Sequence, residues 1–281
     1  MPSPLVTVVC LCYNHANYLR EAVESVVNQT YKNIQIIIVD DASTDGSVTE
    51  IERLATEYPS IELLLLKQNV GNCKAFNSAL KLIKGDFIID FATDDVLLPE
   101  RIESGVNDFA RYNFTYGVNF TDGELIEEKG KHLSYHSERF PSSGIPQGDI
   151  YKDIIGRYFI NGPSLMSRKS VFEELHGYDE SLAYEDFDFL IRASRRFKFF
   201  YTPKVLVKKR ILSSSMSAGQ FRRGSPQLFS TSKVCEKINE LNRSNDERWA
   251  LRYRIFYELR KALQFGEFEL ILSYLKLLLK A

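Results

Sequence analysis

The chain has 281 residues, 44% of them hydrophobic, and a formal net charge of −1, enough apolar sequence for a large core and too much for a disordered chain. The charge is unevenly spread: residues 1–191 carry 16 Lys/Arg against 30 Asp/Glu, and residues 192–281 carry 20 against 7. The C-terminal part therefore faces something anionic: a membrane surface, a phosphate-bearing ligand or the acidic part itself. The four cysteines, Cys10, Cys12, Cys73 and Cys235, form no CxxC pair and no zinc-site or disulfide spacing, which fits a reducing cytoplasm. No signal-peptide pattern opens the sequence, and no apolar run reaches the ~20 residues of a membrane span.

Residues 5–12 (LVTVVCLC) are apolar and β-branched, the pattern of a strand buried on both faces of a parallel sheet, with Cys10 and Cys12 on one face. A polar turn at Tyr13-Asn14-His15 leads to helical spacing over residues 18–28. Residues 34–39 (IQIIIV) form the next strand, which runs into Asp40-Asp41, and Asp45 is placed to cap the following helix. A third strand at 61–66 precedes Asn69-Val70-Gly71-Asn72 and a helix through Ala75, Phe76 and Ala79. The fourth strand stops abruptly at Thr93-Asp94-Asp95.

Strands alternating with helices through short connections imply a doubly wound, mostly parallel α/β sheet. Ligands bind beyond the carboxyl ends of such strands, so residues 13–17, 40–43, 69–74 and 93–95 should gather at one edge. Adjacent carboxylates such as Asp94 and Asp95 repel unless solvent, hydrogen bonds or a cation offsets the repulsion, and a hard divalent ion sharing its shell with phosphates suits them. The plain alternative is an acidic strand-to-helix loop. Neither a GxGxxG turn after the first strand nor a GxxxxGK[ST] loop is present, so phosphates are left to metal and side chains.

Residues 99–112 read as a helix and 116–120 as a strand, whereas the polar, turn-rich 121–148 reads as a long loop or hairpin insertion. His132 and His136, four apart with no HExxH pattern, are expected to be exposed loop histidines. The stretch Glu185-Asp186-Phe187-Asp188 begins a helix with acids near its positive end, where a carboxylate stays deprotonated. Helices are expected over 228–242, 247–264 and 268–280.

Five segments in order, VTVVCLCYNH, IVDDASTDGS, NVGNCKAFNSAL, GDFIIDFATDDVLLPER and YEDFDFLIR, resemble the family-2 glycosyltransferases of the GT-A fold. The resemblance covers residues 5 to about 217 and implies a GT-A catalytic domain over 1–225 with a C-terminal helical appendage over 226–281. It implies inverting transfer of a sugar from a nucleoside diphosphate donor, UDP-linked by preference, to a glycan or lipid-linked acceptor in surface polysaccharide or glycoconjugate assembly. Asp186 would be the general base. Tyr13, Asn14, Asp40, Asp41, Lys74, Asp94 and Arg210 would bind the nucleotide sugar, and Asp95 with Asp94 would hold Mn2+ or Mg2+.

Two positions depart from the family pattern: Ala92 stands first in the DxDD-like run, and Leu212 stands where a Tyr-Arg-x-His segment has its His. Arg210 or Lys209 would then meet the phosphate, and residues 213–224 would form a lid. A catalytically silent nucleotide-sugar binding protein is the alternative these departures suggest. A processive polymerase is disfavoured by the absence of QxxRW and of spans, and nothing points to nucleic acid. The C-terminal helices are expected to dock on the domain or form a homodimer, with peripheral attachment to the inner face of the membrane as the lesser alternative.

Overall fold

A computed structural model describes residues 3–140, 144–183, 185–213 and 222–280. In chain order the N-terminal half contains β1 (Val6–Cys12), α1 (Leu19–Val27), β2 (Ile34–Asp40), α2 (Ser47–Glu57), β3 (Glu62–Leu65), α3 (Asn72–Ala79), β4 (Phe87–Ala92), β5 (Val96–Leu97) and α4 (Arg101–Arg111). The rest contains β6 (Tyr116–Ile126), β7 (His132–Tyr135), α5 (Tyr151–Gly156), β8 (Met166–Arg168), α6 (Lys169–Leu175), α7 (Glu185–Ser194), β9 (Lys198–Arg210), α8 (Pro226–Leu241), α9 (Asn245–Phe265) and α10 (Phe268–Leu278).

One sheet in the order β3-β2-β1-β4-β8-β6-β9-β5 runs through the protein, with β7 paired to β6. The first four strands are parallel, β8 runs against both its neighbours, and β6 and β9 are again parallel. Every residue of β1 is buried, as its unbroken apolar sequence requires, and alternate side chains feed opposite core layers. Val9 and Leu11 join the layer of α3 and α5 to α10, and Val8, Cys10 and Cys12 join that of α1, α2 and α4. The chain reverses direction across the sheet between β2 and β4, on either side of β1, and β1–β2 register sets Cys12 opposite Asp40. That register delivers the polar loops to one edge.

Of the two alternatives for residues 121–148, a hairpin forms: residues 121–126 extend β6, which pairs antiparallel with β7. β6 continues through them, because their polar groups find partners inside: the Thr121 N–H donates to Ser164 Oγ at 3.0 Å, and Asp122 accepts the Ser137 N–H at 2.9 Å. A polar strand is stable when tertiary partners satisfy it. His136 is likewise not an exposed loop residue: it is 5% exposed and bonds the Phe159 carbonyl at 2.9 Å, and burial holds its pKa below the usual range. His132 is exposed, as expected. Asp45 accepts the Ser47 N–H at 2.8 Å from just before Gly46, so it closes the turn entering α2 without itself occupying the cap position.

The last three helices dock. Val234, Cys235, Leu251, Ile255, Leu270 and Tyr274 belong to the same core layer as Phe187 and Phe189 of α7. Lys237 of α8 donates at 2.6 Å to Asp179 and to Asp188, so part of the C-terminal positive charge answers the acidic part of the chain, while Arg195 meets Glu247 at 2.6 Å within the C-terminal part. All four cysteines are free and buried.

Candidate active site

The loop after β1 is held in an unusual backbone shape. Asn14 has φ +58°, and its side-chain Oδ1 accepts the Thr44 N–H at 2.7 Å while its own N–H donates to Ser43 Oγ at 2.9 Å. Ala42, in the facing loop, also has φ +58°, a conformation that costs a residue with a Cβ about 1 kcal/mol or more. Together the two loops frame Asp40. Asp40 is 1% exposed; its Oδ2 accepts the Ser43 N–H at 2.9 Å, and its Oδ1 has no partner among the described residues. A buried acceptor left unspent is rare in folded proteins and marks a place for a donor. Tyr13, next in the chain after Cys12, which pairs in register with Asp40, is 45% exposed.

Asp41 is engaged by a neighbouring loop. Both of its oxygens are used by the next loop, accepting the Val70 N–H at 2.7 Å and the Gly71 N–H at 2.9 Å. Its place is that of a brace between the 40–43 and 69–71 loops. Gly71, at φ +85°, then opens α3, and Lys74 is exposed in the first turn of that helix.

At the end of β4, Thr93 donates to the Leu11 carbonyl and bonds His15 Nδ1 at 2.9 Å, which ties the loop after β4 to the loop after β1. Asp94 is partly buried, and its carboxylate makes no hydrogen bond or ion pair among the described residues. Asp95 is 4% exposed and accepts the Arg210 N–H at 2.8 Å. Burial and then the Asp94 charge push the Asp95 carboxyl well above the usual carboxylate range, against the pull of Lys209 and Arg210. No group of three His, Cys, Asp or Glu side chains gathers to hold a metal among the described residues. The two carboxylates nonetheless fit a hard divalent ion whose other oxygens come from phosphate and water.

Arg210, expected at the nucleotide sugar, is already occupied. Its guanidinium donates to the carbonyls of Asp94 (2.9 Å) and Glu128 (2.7 Å), pairs with Glu21 at 2.6 Å and lies over the Tyr18 ring. It clamps the loop after β4 to β9 and α1. Lys209 is the cation left available: its charge is felt at Asp95 and His136, and no hydrogen bond or ion pair holds it among the described residues. Leu212 is buried. The expected lid falls largely on residues 214–221, outside the described residues, as does Tyr184.

Asp186 sits in the first turn of α7, partly buried, its carboxylate without a hydrogen bond or ion pair among the described residues. A Cβ at Gly162 would lie 3.2 Å from its Oδ2, so glycine keeps that side of the carboxylate clear. Two residues on, Asp188 is 1% exposed and fully engaged, by Lys237 at 2.6 Å and Arg192 at 2.7 Å, which fixes the helix under Asp186. Asp90, on β4, accepts the Tyr178 hydroxyl at 2.7 Å; burial pushes its pKa up to about 7, the tyrosine opposes this and the Asp186 charge adds to it. Asp90, Tyr178, Gly162 and Lys209 complete the neighbourhood. Of these, Asp90 had a signal in the sequence, a lone charge inside the apolar run FIIDFA.

Residues 7–175 match the model of the family described as "Glycosyl transferase family 2". An uncharacterised glycosyltransferase of Rickettsia prowazekii is 33% identical over 217 residues, 74% of this chain and 64% of that protein, and one of Rickettsia felis is 32% identical over 76% of this chain and 35% of its own length. The chain thus spans between about a third and two-thirds of these relatives. Among solved structures, Staphylococcus aureus TarS 1-349 in complex with UDP-GlcNAc is similar at TM-score 0.66 and 18% identity, covering 93% of this chain and 73% of that one. The mannosyltransferase PcManGT of Pyrobaculum calidifontis, in complex with GDP-Man and Mn2+, is similar at TM-score 0.67 and 17% identity, covering 93% and 75%. These two carry the GT-A fold expected from the sequence. With the family model matching well over half of its length, the chain belongs to glycosyl transferase family 2.

Proposed function

We propose that the protein transfers a sugar, with inversion, from a nucleoside diphosphate donor to a hydroxyl of a glycan or lipid-linked acceptor. The observation that carries this reading is the set of carboxylate oxygens left unspent among the described residues: Asp40 Oδ1 and Asp94 after β2 and β4, and Asp186 in the first turn of α7, whose charge is felt at Asp90 of β4. Asp40 accepts from the base of the nucleotide, with Tyr13 against the ring, Asn14 holding the loop that frames it, and Lys74 near base or phosphate. Asp186 takes the acceptor hydroxyl's proton as that oxygen attacks the anomeric carbon from the face opposite the diphosphate. The new glycosidic C–O bond forms as the bond to the diphosphate oxygen breaks.

Asp95, with Asp94 beside it, would hold Mn2+ or Mg2+, which when bound neutralises charge on the departing diphosphate. Lys209 or Arg210 supplies a second cation there, Lys209 without and Arg210 with protein partners among the described residues. Residues 1–225 form the catalytic unit and 226–281 its helical support, with Lys237 bracing α7. Four free buried thiols suit a reducing compartment, and we place the reaction in the cytoplasm, in surface polysaccharide or glycoconjugate assembly. Similarity to chains solved with UDP-GlcNAc and with GDP-Man and Mn2+ supports a nucleotide sugar, with UDP the first to try.

Calorimetric titration with UDP in Mn2+, in Mg2+ and in EDTA, on the native chain and on Asp95→Ala, tests the donor site. Metal-dependent binding lost in the variant is expected. Failure of UDP, dTDP, GDP and CMP alike would overturn the reading. Binding without turnover of any nucleotide sugar, even slow hydrolysis, would favour the silent binding protein suggested by Ala92 and Leu212.

A further inference from the structure

The outward faces of α9 and α10 are built unlike the rest of the surface. On α9 the inward side carries Leu251, Ile255, Glu258 and Ala262, while Trp249, Tyr253, Phe256, Arg260 and Leu263 follow one another at four- and three-residue steps on the opposite side. α10 repeats the pattern: Leu270, Tyr274 and Leu277 are buried, and Phe268, Leu272, Leu275 and Leu279 form a second stripe facing away. The apolar members of the two stripes are between 45% and 90% exposed. A helix apolar on both sides at a surface marks an interaction site, because a row of exposed apolar side chains is unfavourable in water.

Charge decides between the occupants. Arg252 stacks over Trp249, Arg260 lies within the α9 stripe, and Lys276 and Lys280 flank the α10 stripe. Of the acids on these two helices, Glu258 is buried and paired with Arg254 and Glu247 pairs with Arg195, which leaves Asp246, facing Lys152, and Glu269 exposed at the two N-terminal turns. Two copies meeting through this face would set cation against cation. An anionic lipid surface meets the same face with the opposite sign, receives the leucines and phenylalanines among its acyl chains, and suits tryptophan and tyrosine at its polar boundary.

We infer that the outward faces of α9 and α10 form a docking surface for an anionic lipid bilayer, on which the protein lies peripherally. No helix among the described residues is long and apolar enough to cross a membrane, so the contact is one of lying on the surface. Independent of the donor chemistry proposed above, this contact would bring the site toward acceptors carried in the membrane.

Trp249 is the one tryptophan of the chain and stands in the stripe, so it reports directly. The full chain is mixed with vesicles of phosphatidylcholine alone and of phosphatidylcholine with phosphatidylglycerol, and tryptophan emission and co-sedimentation are read. With anionic vesicles the emission should move to the blue and the protein should sediment, less so as salt is raised. Arg260→Glu with Lys276→Glu should weaken sedimentation by about tenfold or more, and Leu272→Glu with Leu275→Glu should abolish the emission shift. Both pairs lie at exposed positions, and unchanged circular dichroism and UDP titration would show that fold and donor site are intact. Unchanged emission with anionic vesicles, or equal binding to neutral ones, would overturn the inference. So would a dimer by light scattering that Leu272→Glu with Leu275→Glu dissolves, since the occupant would then be a second copy.

Discussion

Asp186 and Asp188 lie on the same helix and spend their oxygens in opposite ways. Asp188 is buried between Lys237 and Arg192 and joins α7 to the C-terminal helices; Asp186, at the start of the helix, has no protein partner among the described residues. The contrast extends to the two regions they belong to. Along the seam of α7 and α8, Asp179 and Asp188 converge on one lysine, whereas Asp40 and Asp94 at the loop edge of the sheet, and Asp186 in the first turn of α7, keep oxygens in reserve. Paired carboxylates hold a fold, and unspent ones cost it stability that a ligand can return.

The sharpest test of that contrast is Asp186→Asn. It should lower the single-turnover rate of sugar transfer by roughly 10²–10⁴-fold, the range for a lost general base, while UDP affinity and thermal midpoint stay as they were. A comparable rate for the variant would place the base elsewhere and erase the distinction between the two aspartates.

Asp188→Ala should do the reverse. Removing one partner of a buried pair leaves charge uncompensated and costs about 3–5 kcal/mol, read as a lowered urea midpoint, with any loss of transfer following loss of fold. The same seam gives a pH signature. Burial raises the Asp179 carboxyl, but Lys237 and the Ser181 bonds outweigh it and hold its pKa at about 2. The sign follows: a depressed folded-state pKa stabilises above the ordinary aspartate value of about 4 and is lost as pH falls toward about 2. Lys237→Ala should flatten that part of the acid-unfolding curve.

Asp40→Asn probes the loop edge with a smaller effect of mixed sign. Removing a charged acceptor from the proposed base contact should weaken UDP by about 1.5–3 kcal/mol, or roughly tenfold to a hundredfold. Relief of a buried oxygen without a partner should leave stability unchanged or slightly higher. Weaker binding together with lower stability would mean that Asp40 braces the fold, as Asp41 does.

How much of this was legible in the sequence depended on where each side chain's partner lies. β1, β2 and β4 could be read because burial on both sheet faces leaves nearly continuous apolar runs, and the strand ends followed from the abrupt stops at Asp40 and at Thr93. The extension of β6 through Thr121 and Asp122 could not, since the groups that satisfy them, Ser164 and Ser137, are distant in the chain and polar themselves. The edge position of Asp41 and Arg210 was readable and their protein partners were not: Val70, Glu21 and Glu128 are set by tertiary placement. Docking of α8 to α10 was foreseen as one alternative, and the buried stripes decided it.

Asp90 joins the two regions, and its variant tests that join through pH. It lies on β4 below the loop edge, bonded to Tyr178 from the segment leading to α7. Burial raises its pKa from 3.8 to about 7, the tyrosine restrains the rise and the Asp186 charge adds to it. A raised folded-state value means that the native chain holds the proton more tightly than the unfolded chain, so the favourable term is full below about pH 4 and is lost as pH rises through about 7. Asp90→Asn keeps the shape and removes the titration. It should match the native chain below about pH 4 and become progressively more stable than it as pH rises toward about 7. Tyr178→Phe removes a donor that favours the charged form and should steepen the decline in stability with pH. If both variants track the native chain across this range, Asp90 is solvated and ionised, and the boundary between spent and unspent carboxylates lies closer to α7 than its hydrogen bond to Tyr178 implies.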